Sequence, residues 1–328
     1  MDLHPFMEAL KKEAERLALD FGGPGGGEAA LTLDYRFDEP MDRHTSFKVG
    51  GPADLWLRPG GELFPPLVNF LLRRAGEEEI PVFILGGGSN LVVSDRGIRG
   101  IVLDTGGWTG IKREGEGLYV RSGTSVKEMT EFSAARNLGG LEFLAGMPGT
   151  LGGALWMNAR CYETSLSDIL IETEILDAEA GSIRRIGRRP GDFGYKKSPF
   201  QDRRTLILGA LLAVSREDGG RIRRKMEDHL RDRELKGHYR RPSAGSVFKN
   251  NRSFGKPAGQ IIDELGLKGL RLGDAQVAPW HGNIIINLGS ASAVDIRSLT
   301  ELVAARVEAG KGIALEREIL FAGEWENS

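Results

Sequence analysis

Apolar residues recur at helical spacing through the first twenty residues of the chain. Phe6, Leu10 and Leu17 are separated by four and seven positions, so their side chains would share one face of a helix. A glycine-rich run at 22–27 interrupts this pattern, because glycine favours turns and flexible connections. We therefore expect an N-terminal amphipathic helix followed by a glycine-rich linker, together covering residues 1–34.

Short apolar runs separated by glycines replace the helical spacing after about residue 35. The runs at 81–85 and 91–93 have the length of strands and are bounded by glycine, which is typical of buried β-structure. Ser125 and Glu128 form a capping-box pattern. An apolar helical face follows them, and we expect this helix to end at Gly139. The region therefore mixes strands and helices.

Charged residues of both signs fill the segment 216–241. Ile222, Met226 and Leu230 form an apolar stripe at helical spacing within it, which predicts a surface helix that links two domains. The interleaved aspartates and glutamates argue against a nucleic-acid-binding patch. Beyond this segment the pattern predicts, in order, a helix from Pro257 to about Gly266, a strand at 283–288, a helix at 293–308 and a strand at 313–321.

Composition and charge limit the class of protein. The chain has 328 residues, 40% of them hydrophobic, and is long enough for at least two domains. A formal net charge of −2 gives no overall field that would attract nucleic acid or an anionic membrane. A single cysteine, Cys161, excludes an intrachain disulfide and suits a reducing cytoplasm. The longest apolar run, about 206–214, is far shorter than the ~20 residues of a membrane span, and no signal peptide is evident. We expect a soluble, cytoplasmic protein.

The first glycine cluster follows a predicted strand. Gly86, Gly87 and Gly88 precede Ser89 and Asn90, and successive backbone N–H groups in such a loop can converge on phosphate oxygens. The spacing does not match G-x-G-x-x-G, and the loop leads into a strand, whereas the loop of a Rossmann fold opens a helix. A phosphate-binding loop and an ordinary tight turn are equally consistent with this cluster alone.

A second glycine cluster makes the phosphate-binding interpretation stronger. Residues 145–153 contain four glycines and a proline. Two such loops in one domain suit a ligand with two phosphates that is held by backbone amides instead of lysines. A pyrophosphate cofactor such as FAD is the natural candidate.

Isolated polar residues leave more than one interpretation open. Ser246 follows a glycine among small residues, where it is either an exposed hydroxyl or a turn serine. The G-x-S-x-G motif of hydrolases does not fit, because Phe248 occupies the position of the last glycine. Glu316 and Glu318 would share one face of a strand, which is either a functional or a solvated face. His281 has no second histidine or cysteine at metal-ligand spacing, so no metal site is expected.

Six segments, in this order along the chain, resemble the motifs of the UDP-N-acetylenolpyruvoylglucosamine reductases, the MurB family. They span about 43–323, which is nearly the whole chain after the first helix. The segments are Thr45-Ser-Phe-Lys-Val-Gly-Gly-Pro-Ala-Asp, Leu85-Gly-Gly-Gly-Ser-Asn-Leu-Val-Val-Ser-Asp, Gly140-Leu-Glu-Phe-Leu-Ala-Gly-Met-Pro-Gly-Thr-Leu-Gly-Gly, Ala244-Gly-Ser-Val-Phe-Lys-Asn, Leu267-Lys-Gly-Leu-Arg-Leu-Gly-Asp-Ala-Gln-Val and Leu315-Glu-Arg-Glu-Ile.

The resemblance implies a fold and an activity. The fold would be α+β, with a two-subdomain FAD-binding fold of the vanillyl-alcohol-oxidase type over 35–215 (subdomains about 35–104 and 105–215). A C-terminal α+β substrate-binding domain, which includes the linking helix, would cover 216–328. The activity would be the FAD-dependent reduction by NADPH of UDP-N-acetylglucosamine enolpyruvate to UDP-N-acetylmuramate, in peptidoglycan precursor synthesis. FAD would be bound non-covalently, and the partners would be the UDP-sugar and NADPH, with the protein a monomer that binds no nucleic acid.

The resemblance also assigns roles to individual residues. Ser246 would donate a proton to C2 of the substrate, and Glu318 would be a second catalytic residue that must be protonated to donate a hydrogen bond. Tyr195 and Asn250 would contact the phosphate and carboxylate groups of the substrate. The FAD pyrophosphate would be held by residues of the two glycine loops: Gly86, Gly87, Gly88, Ser89, Asn90, Gly146, Pro148, Gly149, Thr150, Gly152 and Gly153.

The sequence departs from the family pattern at two places. Lys196 stands where relatives carry a catalytic arginine, and a lysine keeps the charge without the planar fork of donors. Arg160 and Glu163 stand where relatives usually have glycine, so Arg160 is an alternative source of the missing guanidinium. We favour Lys196, because the neighbouring Tyr195 keeps the family register.

Two other functions are compatible with the same motifs. One is a flavin oxidase of the same fold that acts on an alcohol or a sugar. The other is a nucleotide-sugar-binding module that has lost catalysis, in which Lys196 and Arg160 mark the loss. The first would react fast with oxygen, and the second would be colourless or would not be reduced by NADPH.

Overall fold

Helices and strands alternate along the chain, as the changes in apolar spacing predict. The computed structural model describes residues 2–21, 32–201 and 205–325, so the predicted glycine-rich run at 22–27 lies outside the described residues. The helices in these ranges are α1 (His4–Phe21), α2 (Phe64–Glu77), α3 (Val126–Ala135), α4 (Leu151–Trp156), α5 (Gly219–Leu235), α6 (Ala258–Glu264) and α7 (Ala293–Lys311). The strands are β1 (Thr32–Pro40), β2 (Pro52–Gly60), β3 (Val82–Leu85), β4 (Leu91–Val93), β5 (Ile98–Asp104), β6 (Ile111–Glu114), β7 (Gly117–Arg121), β8 (Leu138–Gly139), β9 (Arg160–Cys161), β10 (Thr164–Ser165), β11 (Leu170–Asp177), β12 (Ser182–Gly187), β13 (Thr205–Ala213), β14 (Ser215–Arg216), β15 (Arg271–Leu272), β16 (Ala275–Val277), β17 (Ile285–Asn287) and β18 (Leu320–Ala322).

Two compact units divide the chain, and each combines separated parts of the sequence. The first unit consists of Met1–Phe37, Asp54–Gly87 and Gly100–Leu230, and the second of Asp38–Ala53, Gly88–Arg99 and Arg231–Ser328. The two units are groups of residues that pack together. The continuous segments expected from the sequence (1–34, 35–215 and 216–328) describe functional domains instead, and they stay a prediction.

A four-stranded sheet and two helices form the first core of the first unit. The strands run in the order β1-β2-β5-β3, with β3 parallel to β5. Phe6 and Leu10 on α1 and Leu67 and Leu71 on α2 are buried against this sheet in one apolar cluster. Burial of such side chains contributes ~1.5–3 kcal/mol each. The predicted N-terminal helix is therefore present, and it is part of this core.

A five-stranded antiparallel sheet forms the second core of the first unit. Its order is β12-β11-β13-β7-β6, and α3 and α4 contribute to the apolar cluster on it. The predicted capping box is present, since the Ser125 hydroxyl accepts from the Glu128 N–H and the Glu128 carboxylate accepts from the Ser125 N–H. The expected helix end at Gly139 is wrong. Asn137 has φ +55°, which ends the helix earlier, and Gly139 lies in β8, which pairs with β14.

The second unit is built from short strands and two helices. β15, β16 and β17 form an antiparallel sheet, and β4 pairs in parallel with β18. A capping box at Ser292 and Asp295 begins α7, whose apolar face is buried in the same cluster as α6. The expected strand at 313–321 is mostly irregular, and only Leu320–Ala322 forms a regular strand. Before it, Arg317 forms an isolated bridge with Phe248.

Candidate active site

The two glycine loops touch each other within the first unit. A Cβ atom on Gly87 would lie 2.6 Å from the Cα of Gly149, and one on Gly86 would lie 2.8 Å from the Thr150 Oγ1. Carbon atoms in contact are normally about 3.5–4.0 Å apart, so a side chain at Gly87 would displace the backbone of the second loop. Glycine at this position therefore brings the two loops into backbone contact.

The second loop has a backbone that depends on glycine. Gly146 has φ +75° and Gly149 has φ +108°, conformations that residues with a side chain rarely adopt. The Gly149 carbonyl accepts from the Val126 N–H at 3.0 Å, which fixes the loop to the start of α3. The Thr150 side chain caps α4 by accepting from the Gly153 N–H. The loop is thus rigid, with its conformation set by contacts to its own unit.

Backbone amides in this cradle are available for a ligand. Among the described residues, no hydrogen bond is recorded from the N–H groups of Gly87, Gly149 or Thr150. Three such donors at the contact between two glycine loops match the acceptor oxygens of a pyrophosphate. The residues present therefore fit FAD, which would be held by backbone N–H groups at this contact.

The remainder of the first loop belongs to the second unit. Gly88 has φ +60°, and a Cβ on it would lie 1.8 Å from the His44 carbonyl oxygen. The Gly88 carbonyl accepts from the Ser46 N–H at 3.0 Å. The start of the Thr45–Asp54 motif therefore packs against this loop within the second unit. Asn90 Nδ2 donates to the Glu318 carbonyl at 3.2 Å.

Ser246 and Glu318 lie on neighbouring segments of the second unit. The Glu318 N–H donates to the Val247 carbonyl at 2.8 Å, and Ser246 forms an isolated bridge with Ile284. Both predicted catalytic residues are half-buried. The structure therefore places Ser246 and Glu318 on adjoining backbone segments.

Asn283 supports the Ser246 segment and has no counterpart among the predicted site residues. It is 3% exposed, and its side chain exchanges two hydrogen bonds with the Phe248 backbone at 2.9 and 2.8 Å. The backbone carbonyl of Asn283 accepts from the Val247 N–H at 2.9 Å. An asparagine next to a strand carries no sequence signal for this role, because its partners lie 35 residues away.

Asn250 has a structural partner in addition to its predicted role. Its Oδ1 accepts from the Ala258 N–H at 2.9 Å, at the start of α6. The preceding residue, Lys249, pairs with Glu316 at 2.5 Å. Of the two glutamates near the C-terminus, Glu316 is thus engaged in a surface ion pair.

Tyr195 and Lys196 form the tip of a tight turn in the first unit. Gly194 and Lys197 exchange two backbone hydrogen bonds of 3.1 Å, and Lys196 has φ +57°. In an extended stretch the side chains of Lys196 and Lys197 would point to opposite faces. The structure instead places the two lysines on a reversal of the chain. Lys196 occupies a left-handed conformation that costs most residues about 1–2 kcal/mol.

Two amides hold this turn in place. Asn158 is 3% exposed, and its Nδ2 donates to the Gly194 carbonyl at 2.8 Å while its Oδ1 accepts from the Ser167 N–H at 3.1 Å. Gln201 Nε2 donates to the carbonyls of Lys196 at 3.2 Å and Trp156 at 2.9 Å. The sequence analysis missed both residues. Their function depends on backbone groups that become neighbours only in the fold.

The unusual residues Arg160 and Glu163 belong to one hairpin. Arg160 lies in β9, which pairs with β10, and its backbone is not left-handed. Tyr162 and Glu163 form the turn, with φ +48° and +67°. The Tyr162 ring stacks on His229 with centroids 3.8 Å apart, and its hydroxyl donates to the His229 carbonyl at 3.1 Å. The hairpin is therefore fixed to α5.

Comparison with known protein families covers both units. Residues 237–322 match the family model described as UDP-N-acetylenolpyruvoylglucosamine reductase, C-terminal domain. Residues 68–187 match the model of an FAD binding domain. The predicted fold class and the predicted cofactor FAD are thereby confirmed.

Individual relatives and a solved structure cover most of the chain. UDP-N-acetylenolpyruvoylglucosamine reductase of Treponema denticola is 41% identical, over 88% of this chain and 94% of that protein. The enzyme of the same name from Borreliella burgdorferi is 40% identical, over 86% and 93%. The crystal structure of the Thermus caldophilus enzyme covers 89% of this chain and 99% of its own, with a TM-score of 0.72 and 32% identity. The chain therefore belongs to the UDP-N-acetylenolpyruvoylglucosamine reductase family.

Proposed function

We infer that this protein is an FAD-dependent reductase that uses NADPH to convert UDP-N-acetylglucosamine enolpyruvate into UDP-N-acetylmuramate, a precursor of peptidoglycan. The observation that carries this inference is the backbone contact between Gly87 and Gly149, with unengaged amides beside it. Such a contact suits a pyrophosphate cofactor. Family membership supplies the reaction, because relatives that match over most of their length carry the name of this reductase.

The glycine loops would hold FAD without a covalent bond. Gly86, Gly87 and backbone amides of the second loop at 145–153, all in the first unit, would offer N–H groups to its phosphates. The contacts of Gly88, Ser89 and Asn90 with FAD stay a prediction from the family resemblance. FAD held there would supply the chemistry of hydride transfer between NADPH and the substrate. The protein contributes binding, orientation and electrostatic stabilisation.

Ser246 and Glu318 would act on the substrate during the second half-reaction. Hydride delivered to C3 leaves negative charge on C2 and the adjoining carboxylate. The Ser246 hydroxyl would give its proton to C2, and Glu318 would stabilise the carboxylate as a hydrogen-bond donor. The shared support of both segments through Val247 favours this joint role.

Lys196 would supply the positive charge that relatives obtain from arginine. It lies at the tip of a turn held by Asn158 and Gln201. Strained backbone of this kind is often found at functional sites. Arg160 lies instead in a regular β-hairpin. A fixed cation near developing negative charge commonly accelerates such a step by ~10²–10³.

Two anaerobic half-reactions test the proposed function. The purified protein should be yellow, lose its visible flavin absorbance on addition of NADPH and regain it on addition of the enolpyruvyl substrate, with UDP-N-acetylmuramate detected by mass spectrometry. Fast reoxidation by oxygen and none by the substrate would point to an oxidase. A protein that NADPH does not bleach would point to a binding module without catalysis.

The remaining sequence expectations are proposals about the protein in the cell. No helix among the described residues is long and apolar enough to cross a membrane. We propose a monomer that works in the cytoplasm, where NADPH is available, and that does not bind nucleic acid. Light scattering coupled to size-exclusion chromatography tests the monomer, and cell fractionation tests the location.

A further inference from the structure

A polar cavity of about 250 Å³ lies beside the turn that carries Tyr195, within the first unit. Its wall includes Arg160 from the β9–β10 hairpin and Arg188 and Arg189 from the segment after β12. Ser167 and Tyr195 add hydroxyl groups to the same wall. The cavity is thus lined by hydrogen-bond donors from two stretches of the chain, 158–168 and 188–195.

The charge on this wall is not balanced within the described part of the chain. No ion pair between Arg160, Arg188 or Arg189 and a described carboxylate is recorded there. By contrast, Arg185 on the adjoining strand pairs with three glutamates.

The one carboxylate in the wall is already engaged. Asp168 Oδ2 accepts from the Ser165 N–H at 2.8 Å. The wall therefore carries three guanidinium groups and one carboxylate, which is a net excess of two positive charges.

We propose that this cavity binds a phosphate group of one of the two nucleotide substrates. Guanidinium groups bind phosphate through paired, charge-assisted hydrogen bonds, and the hydroxyls of Tyr195 and Ser167 can complete the shell. The phosphate could belong to the 2′-phosphate of NADPH or to the diphosphate of the UDP-sugar. This proposal rests on the proposed reductase function.

The hairpin backbone that carries Arg160 is anchored at neighbouring residues. This hairpin is anchored by the stacking of Tyr162 on His229, and Asn158 and Ser167 are joined by a hydrogen bond of 3.1 Å.

Isothermal titration of the FAD-loaded protein tests the site directly. The probes are inorganic phosphate, adenosine 2′-monophosphate and UDP. Arg160→Gly removes the guanidinium group and should weaken binding of the correct nucleotide probe by about tenfold or more. Arg160→Lys should weaken binding of the same probe by a smaller factor. Arg184→Ala is the matched control, because Arg184 lies on β12 and pairs with Asp177 outside the cavity, and it should bind like the wild type.

Steady-state kinetics separate the two sources of the phosphate. If NADPH supplies it, Arg160→Gly should raise the KM for NADPH about tenfold while the kinetics with NADH stay unchanged. If the UDP-sugar supplies it, the KM for that substrate and the affinity for UDP should change instead. The proposal is overturned if the affinities for all three probes and both KM values stay within twofold of the wild-type values, in Arg160→Gly and also in the double variant Arg188→Ala, Arg189→Ala. An enzyme without any NADPH-dependent turnover would instead contradict the proposed function, and thermal melting checks that each variant is folded.

Discussion

Replacing Gly87 with alanine tests whether the contact between the two glycine loops holds FAD. The new Cβ would lie 2.6 Å from the Gly149 Cα, about 1 Å less than the ~3.5 Å at which carbon atoms make favourable contact. The second loop would have to move by about this distance. A hydrogen bond of ~2.9 Å lengthened by about 1 Å is no longer a hydrogen bond, so the amides would lose their hold on the phosphates.

The expected loss of FAD affinity follows from the number of hydrogen bonds lost. Each hydrogen bond to a charged group contributes roughly 1.5–3 kcal/mol, so loss of one weakens FAD binding about 10- to 100-fold, and loss of two weakens it further. The overpacked contact itself should lower the free energy of unfolding by about 1–3 kcal/mol. Flavin absorbance per protein after gel filtration, the Kd from quenching of flavin fluorescence and a urea titration measure these effects.

Gly76→Ala is the control for this experiment. Gly76 lies in α2 of the same unit, and a Cβ there would meet no atom within 4 Å, so alanine should leave flavin content unchanged and favour the helix slightly. Full flavin content and an unchanged Kd in Gly87→Ala would refute the assignment of this contact to the cofactor. Gly149→Val should behave like Gly87→Ala, because its φ of +108° adds backbone strain.

Four further changes test the site and the second unit. Ser246→Ala should leave flavin reduction by NADPH intact and block reoxidation by the enolpyruvyl substrate, and equal slowing of both half-reactions in stopped flow would contradict the proton-donor role. Lys196→Ala should slow the second half-reaction by at least ~10²-fold, while Lys196→Arg retains activity. At saturating substrates Arg160→Ala should slow this half-reaction much less. A larger loss of rate in Arg160→Ala than in Lys196→Ala would assign the catalytic charge to Arg160. Asn158→Asp keeps the size of the side chain but removes the donor to the turn that carries Lys196, so it should slow the second half-reaction and leave NADPH oxidation by the flavin unchanged. Burial, followed by the nearby charge of an arginine, lowers the pKa of His238 from 6.5 to about 4, so the unfolded chain binds a proton between these pH values and the folded chain does not. The free energy of unfolding should therefore fall as the pH drops from about 6.5 to 4, by less than ~3 kcal/mol because the imidazole is partly exposed, and His238→Gln should remove this part of the pH dependence in urea titrations.

Local patterns along the sequence predicted the elements that depend on neighbouring residues. The helix α1 and the capping box at Ser125 depend on groups within one or two turns, and both are present. Gly139 misled the prediction, because the left-handed backbone of Asn137 ends α3 first. Asparagine tolerates this conformation, so glycine was not needed to end the helix.

The residues that hold the candidate site in place could not be predicted from local sequence patterns. Asn158 reaches the carbonyl of Gly194, 36 residues later, and Asn283 reaches Phe248, 35 residues earlier. Such contacts depend on the packing of distant segments. The turn at Lys196 was also missed, since a lysine gives no signal for a left-handed backbone. The motifs predict which groups react, and the fold shows which residues hold the segments that carry them.

The division of the chain into interleaved units has a consequence for its synthesis. The strand β4 emerges from the ribosome long before its partner β18, and Phe47 and Val92 belong to the same apolar cluster as the last helix. The second unit therefore cannot complete its core until β18 and the last helix have left the ribosome. Until then β4 has no β18 to pair with. For the same reason, a fragment that begins at residue 231 would lack both the strand and the core residues that it needs, so gene truncation at that boundary should yield an aggregating product.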